Sequence, residues 1–186
     1  MPLEDQEIIH KILEGDDSAF AELVRKYQTR IITLCTSMLS DAKEAEDAAQ
    51  EIFVKAFYAL RNFQGRSSFY TWLYRIASNR CLDLMRKKYR HKTQSWEELL
   101  EQKGDEIERL LAKNESPESS RDNELVHEAL SHLKPEWRLI LTLREIQGLS
   151  YEEIAETLGC SLDAVKSRLQ RSRRDLKEKL RHFLKS

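Results

Sequence analysis

Glycine, proline and cysteine are all scarce in this chain: five, three and three among 186 residues. So little glycine and proline argues against a fold built from many tight turns and points to an all-α protein. The cysteines, Cys35, Cys81 and Cys160, are odd in number, lie far apart in the sequence and show no CxxC or CxxxC spacing. That excludes a zinc ribbon and a disulfide framework. Each falls at an apolar or half-apolar helical position and is expected to fill core. His127 and His132 lie five residues apart, a poor spacing for one helix face, so neither a metal nor another cofactor is expected. No apolar run is long enough to cross a membrane and no secretory leader is evident, so the protein is expected in the cytosol. Paired catalytic acid and base, a nucleophile motif and a glycine-rich phosphate loop are also missing, which argues against an enzyme and a small-molecule substrate.

Net charge is nearly absent as well, at −1 from 31 basic and 32 acidic residues. The total conceals a strong asymmetry. From Lys166 onward, nine lysines and arginines face two carboxylates, and Arg86, Lys87, Lys88, Arg90 and Lys92 form a second basic run. Acidic residues concentrate between Glu97 and Glu124. Two basic elements flanking an acidic segment are the footprint of a nucleic-acid binder, whatever the sum.

The stretch LSYEEIAETLGCSLDAVKSRLQRSRR, residues 149–174, supplies the motif. Ser150 with Glu153 three residues on is a capping box. Ile154, Ala155 and Leu158 then keep helical spacing, and Gly159 suits the left-handed position that ends a helix. Ser161 can cap the next helix, with Asp163 at its positive end. Leu162, Val165, Leu169, Leu176 and Leu180 mark a buried side, and Lys166, Ser167, Gln170, Arg171 and Arg174 point elsewhere. Two short helices, a tight turn and a basic outer face predict a helix-turn-helix. Arginine or lysine can bond guanine O6 and N7, and glutamine can bond adenine. A helical hairpin with a merely solvated basic face would share the charges; the agreement of caps, turn and charge favours DNA.

Four helices are expected before residue 93: Leu3 to Glu14, one from Asp16 or Asp17 through Met38, one from Asp41 with Glu44 completing a second capping box, and one from Ser67 or Ser68. Phe63, Phe69, Tyr70, Trp72 and Tyr74 cluster near the start of the fourth helix, followed by Asn79, Arg80, Asp83 and the basic run. Rings interleaved with cations and amides suit unpaired bases. Phe69 and Trp72 lie on the apolar stripe and are expected in the core. Tyr70 and Tyr74 lie off it and are expected to contact DNA. Glu44, Glu46, Asp47, Gln50 and Glu51 make one side of the third helix acidic, which composition alone does not distinguish from a solvated face. Residues 93–120 read as a flexible linker, with leucine pairs that could form a short amphipathic helix. A helix from Arg121 to Leu133 follows, then one after Pro135, with Trp137, Ile140, Leu141, Leu143 and Ile146 expected to complete a small second core.

Three stretches, EAEDAAQEIFVKAF at 44–57, SFYTWLYRIASNRCLDLMRKK at 68–88 and LSYEEIAETLGCSLDAVKSRLQRSR at 149–173, resemble in order and separation the signatures of bacterial sigma-70 factors of the small extracytoplasmic-function group. The resemblance implies two small helical domains joined by a flexible linker: region 2 over 1–92, the linker over 93–120 and region 4 over 121–186. It implies a promoter-specificity subunit that binds core RNA polymerase at the β′ clamp helices and the β flap, recognises −35 and −10 promoter DNA and aids −10 melting. Asp47, Gln50 and Glu51, with Ile52 and Phe53 as apolar support, match the polymerase-binding segment. Asn62, Arg66, Tyr70, Tyr74, Asn79, Arg80, Asp83, Arg86, Lys87 and Lys88 match the −10 element. Ser161, Lys166, Ser167, Arg168, Gln170, Arg171 and Arg174 match the −35 reader. The resemblance also implies an anti-sigma partner, often membrane-bound, that can hold the protein at the inner membrane. Ala48 and Ala49 stand where bulkier aliphatics are common, Ala164 where glycine is frequent, and Gln170 where an aromatic or histidine is usual. Two other classes stay open: an ordinary helix-turn-helix regulator binding palindromic duplex, and a helical interaction protein that does not touch DNA.

Overall fold

A computed structural model describes the backbone of residues 3–102 and 130–183 and the side chains of residues 5–88 and 130–181. Among them every regular element is helical. Helix α1 spans Leu3–Leu13, and α2 spans Phe20–Met38 after a 3-10 turn over Asp17–Ala19. Helix α3 spans Ala42–Ala59 and ends in a 3-10 turn over Leu60–Asn62, and α4 spans Phe69–Gln102. Helix α5, Pro135–Leu141, widens into a π-helical turn over Thr142–Ile146. Helices α6, Tyr151–Leu158, and α7, Leu162–Phe183, follow.

Local chemistry explains most boundaries. The Asp41 carboxylate accepts the Glu44 backbone N–H at 2.7 Å, but the expected second capping box is only half made, because the Glu44 carboxylate turns to Lys88. Ser68 Oγ accepts from the Thr71 N–H at 3.0 Å and starts α4. That helix continues ten residues past 92, through the first part of the expected linker. Linker residues 103–120 and the expected helix over 121–129 lie outside the described residues, where only Leu130 and Ser131 show that helix's end. Pro135 occupies the first turn of α5, where its missing N–H leaves no bond unmade.

Buried polar chemistry joins α1 to α2. Asp5 is fully buried and accepts from Lys26 Nζ at 2.7 Å and from the Tyr27 hydroxyl at 2.6 Å. Burial, and then the Asp5 carboxylate, hold the Tyr27 phenol well above its ordinary range. Leu13, expected on the α1 stripe, is half exposed instead. The cysteines that are far apart in sequence meet in space: Cys35 on α2 and Cys81 on α4 are fully buried free thiols with sulfurs 3.8 Å apart.

The core is continuous. Its buried residues run from Ile8, Leu23, Ile31, Ile52 and Phe69 in the first half to Leu133, Leu139, Leu143, Ile154, Val165 and Leu169 in the second. Two separate cores were expected; instead α4 packs against α5 and α6, and α2 packs against the π-helical turn. Ile146, assigned to the second core, is 49% exposed, because the π turn adds a residue and rotates it off the buried stripe.

Candidate nucleic-acid interface

The α6–α7 hairpin is built as its sequence dictates. Ser150 Oγ accepts from Glu153 N–H at 3.1 Å while the Glu153 carboxylate accepts from Ser150 N–H at 2.7 Å. Gly159 sits at φ 61°, ψ 42°, a left-handed conformation that strains any residue with a Cβ. Ser161 Oγ then caps α7 by accepting from the Ala164 N–H at 3.2 Å. Val165, Leu169 and Ser172 are buried, while Leu162, Leu176 and Leu180 are half-buried on the same side. Ser161, Lys166, Ser167, Arg168, Gln170, Arg171 and Arg174 are all exposed. Arg173, between them, is drawn back to Glu145 of the π turn at 2.6 Å and braces α7 against it. Arg168, Arg171 and Arg174 make no ion pair with any described residue and leave their guanidinium groups to solvent.

The candidate −10 residues on α4 are in a different state. Asn62 and Arg66 are exposed on the loop before the helix, as are Asn79, Asp83, Arg86, Lys87 and Lys88 along it. Tyr70 is half-buried; its hydroxyl accepts from Arg30 at 3.2 Å, and the Arg30 guanidinium lies 5.5 Å from its ring centre. Arg30, on α2, was not legible as part of this cluster because it sits forty positions away in sequence. Trp72, expected in the core, is only partly buried, and it stacks 5.1 Å from Phe63.

Tyr74 corrects its expected position. It is fully buried, and its hydroxyl donates to Gln147 Oε1 at 2.5 Å. Burial, with Tyr70 beside it, pushes its phenol far above the ordinary range. Four further bonds, from three arginines, tie the first half to the second. Arg75 donates to the Glu156 carbonyl at 2.6 Å, Arg86 donates twice to one Glu136 oxygen at 2.9 and 2.8 Å, and Arg138 donates to the Ser37 carbonyl at 2.8 Å. The α6 end of the second half thus covers one side of α4. The exposed basic face of α7 and the covered face of α4 are presented in one closed body.

Along α3, Asp47, Gln50 and Glu51 are exposed with Ile52 and Phe53 buried beneath them. The three polar residues line a shallow groove with Val54 and Lys55. Val54 is 56% exposed and Tyr58, one turn on, 74% exposed, an unusual pair of large apolar side chains to leave in water. Sequence reading missed both, since the stripe drew attention to the buried face; their place beside Asp47 and Glu51 at helical spacing was the available signal. Glu51 pairs with Arg80 of α4, so the acidic groove and the candidate −10 surface share an ion pair.

Comparison with known proteins adds to this geometry. Residues 23–91 match sigma-70 region 2, and residues 123–176 match sigma-70 region 4. The RNA polymerase sigma-H factor of Pseudomonas aeruginosa is 40% identical, covering 98% of this chain and 96% of that protein. The ECF RNA polymerase sigma-E factor of Escherichia coli K12 is 34% identical, covering 98% and 97%. Among solved structures, CnrH in complex with the cytosolic domain of CnrY superposes with a TM-score of 0.69 at 26% identity, covering 96% of this chain and 97% of that one. The sigma factor RpoE in complex with the anti-sigma factor NepR from Bartonella quintana gives 0.62 at 26% identity, covering 87% and 96%.

Proposed function

The chain belongs to the extracytoplasmic-function group of the sigma-70 family, and from that premise we propose how its surfaces divide the work of transcription initiation. As an alternative sigma factor it directs RNA polymerase to promoters. Lys166, Ser167, Arg168, Gln170, Arg171 and Arg174 on α7, with Ser161 at its cap, read the −35 element in the major groove. Asp47, Gln50 and Glu51, supported by Ile52 and Phe53 and joined by Val54, seat the β′ clamp helices; the second half meets the β flap. Tyr70, Tyr74, Asn79, Arg80 and Asp83, the loop from Asn62 to Arg66, and Arg86, Lys87 and Lys88 take the −10 strand. The division follows region 2 over 1–92, with α4 carried on to Gln102, and region 4 over 121–186.

The observation that carries this reading is the basic face of α7 behind a doubly capped turn, where Arg168, Arg171 and Arg174 make no ion pair with any described residue and Lys166 pairs only with the exposed Asp163 of its own first turn. It is ready for phosphate and base edges without rearrangement. The −10 face is not: Tyr74 reaches an unpaired base only after the second half moves off α4. Polymerase, by fixing the separation of two weak DNA contacts, supplies both the opening and the bivalent gain in specificity. No step needs catalysis by the chain itself. Of two structural neighbours, CnrH is in complex with the cytosolic domain of CnrY, and the sigma factor RpoE is in complex with the anti-sigma factor NepR. A cytoplasmic existence with an anti-sigma partner of that kind, membrane-held or not, fits the closed body.

Run-off transcription with bacterial core polymerase and fragmented genomic DNA tests the reading. Discrete new start sites sharing two upstream elements are expected. Tight binding to duplex alone, without polymerase binding or new transcripts, would make the protein an ordinary regulator.

A further inference from the structure

Between the two halves lies a cavity of about 160 Å³. Met38, Leu39, Met85 and Leu133 give it apolar walls, and Arg138, Lys88, Ser40 and Ser131 give it a polar side. Arg138 is its unusual member. It is only 3% exposed, and its one bond among the described residues is from Nε to the neutral Ser37 carbonyl. No carboxylate there lies within ion-pairing distance of it. Burial moves its guanidinium below the ordinary arginine value, with no anionic neighbour among the described residues. A buried cation without a counter-charge is costly, and such groups ordinarily face an anion. Lys88, the other cation on the wall, is already satisfied by Glu44. Among the described residues, the cavity wall therefore holds one cation, Arg138, without a counter-charge.

We propose that this cavity is a binding site for a small monocarboxylate with a short apolar tail, its head paired with Arg138 and its tail against Met38, Leu39, Met85 and Leu133. A guanidinium matches a carboxylate with two parallel bonds. A phosphate dianion has the wrong charge for one unpaired arginine and no use for apolar walls. An apolar protein cavity of roughly 150 Å³ takes up benzene, which sets the ligand at about six to eight heavy atoms. Ser40 is exposed and gives the ligand a way in. Because the cavity is walled by α2, α4 and α5, an occupant bridges the halves and holds the closed body, keeping Tyr74 covered. Binding itself does not depend on the promoter reading.

Thermal melting and calorimetric titration of the full chain test the site with three probes at matched ionic strength: sodium hexanoate, 1-hexanol and sodium phosphate. Hexanoate is expected to raise Tm in a concentration-dependent way. Hexanol, with the tail and no charge, and phosphate, with charge and no tail, are expected to leave it unchanged. Arg138→Met should weaken hexanoate binding by at least about tenfold, the loss of a charge-assisted pair. Met85→Trp, which fills the cavity and keeps the arginine, should do the same and serves if Arg138→Met does not melt cooperatively. No response to hexanoate, an equal response to phosphate or hexanol, or a response that survives both substitutions would overturn the proposal.

Discussion

Tyr74→Phe removes a single oxygen from a fully buried position, and the structure sets what that should cost. The hydroxyl donates to Gln147 Oε1 at 2.5 Å, and Gln147 Nε2 is itself buried without a partner. A neutral hydrogen bond contributes about 1 kcal/mol net, and stranding its buried acceptor adds about 1 kcal/mol more. Tyr74→Phe should therefore lower the unfolding free energy by about 2 kcal/mol. Gln147→Leu strands the Tyr74 hydroxyl but also deletes the unsatisfied Nε2, so its cost should be nearer 1 kcal/mol. The double variant has neither polar group and should lie close to the parent, giving a coupling energy of about 3 kcal/mol. Urea unfolding of the four proteins, followed by circular dichroism, measures it. A coupling energy inside the additivity scatter of about 0.5 kcal/mol would mean that the two side chains do not meet in solution. The closed body, and the covering of the −10 face deduced from it, would then be wrong.

Other outcomes follow from single contacts. Arg171→Ala should abolish −35-dependent transcription, lower the salt slope of DNA binding by about one and leave polymerase binding intact; parallel loss of both activities would place Arg171 elsewhere. Val54→Glu, at a position 56% exposed, should block polymerase capture in a competition assay without moving Tm; unchanged capture would remove Val54 from that surface. Gly159→Ala must hold a Cβ at φ 61° and should cost about 1 kcal/mol, lowering Tm by about 2–4 °C. Burial alone would raise the Glu136 pKa, but bonds from Arg86 outweigh it and leave the carboxyl below its ordinary 4.5. A folded-state value depressed in this way stabilises above the unfolded value and is lost as pH falls through the folded one. Proximity of α4 to α5, read by energy transfer between labels, should therefore hold at about pH 6 and weaken only as the pH falls below the ordinary carboxyl range, and Glu136→Gln should remove that dependence.

Local rules made the helices and the DNA-reading hairpin legible. Ser150, Glu153, Gly159 and Ser161 act within four residues of themselves, and the buried stripe of Val165 and Leu169 is a matter of period alone. What the sequence concealed is long-range. Glu44 had the right spacing for a capping box, but a lysine on another helix competes for its carboxylate and wins. Tyr74 lies off the stripe that faces α2 and α3, so a one-sided reading leaves it in water; α4 in fact has two packed sides, and the second is covered by residues more than seventy positions downstream. Ile146 fits a 3.6-residue period, which a π turn breaks. Cys35 and Cys81 are adjacent only because α2 and α4 cross.

The same long-range pairing bears on the near-zero net charge. Arg80, Arg86, Lys88 and Arg173 are each matched to a carboxylate of this chain, respectively Glu51, Glu136, Glu44 and Glu145. Three of the proposed −10 cations, Arg80, Arg86 and Lys88, are thus neutralised internally, while Arg168, Arg171 and Arg174 make no ion pair with any described residue. Phosphate contact at an already paired cation releases fewer counterions than contact at a free one, because the displaced carboxylate recaptures part of the salt. On the proposed assignment, non-specific attraction for DNA should come mainly from α7, with α4 contributing once the halves part. A chain with all of its basic residues free would stick to any duplex. On the proposed assignment, Glu44 and Glu51 of α3 and Glu136 of α5 would hold the −10 cations back until the halves part.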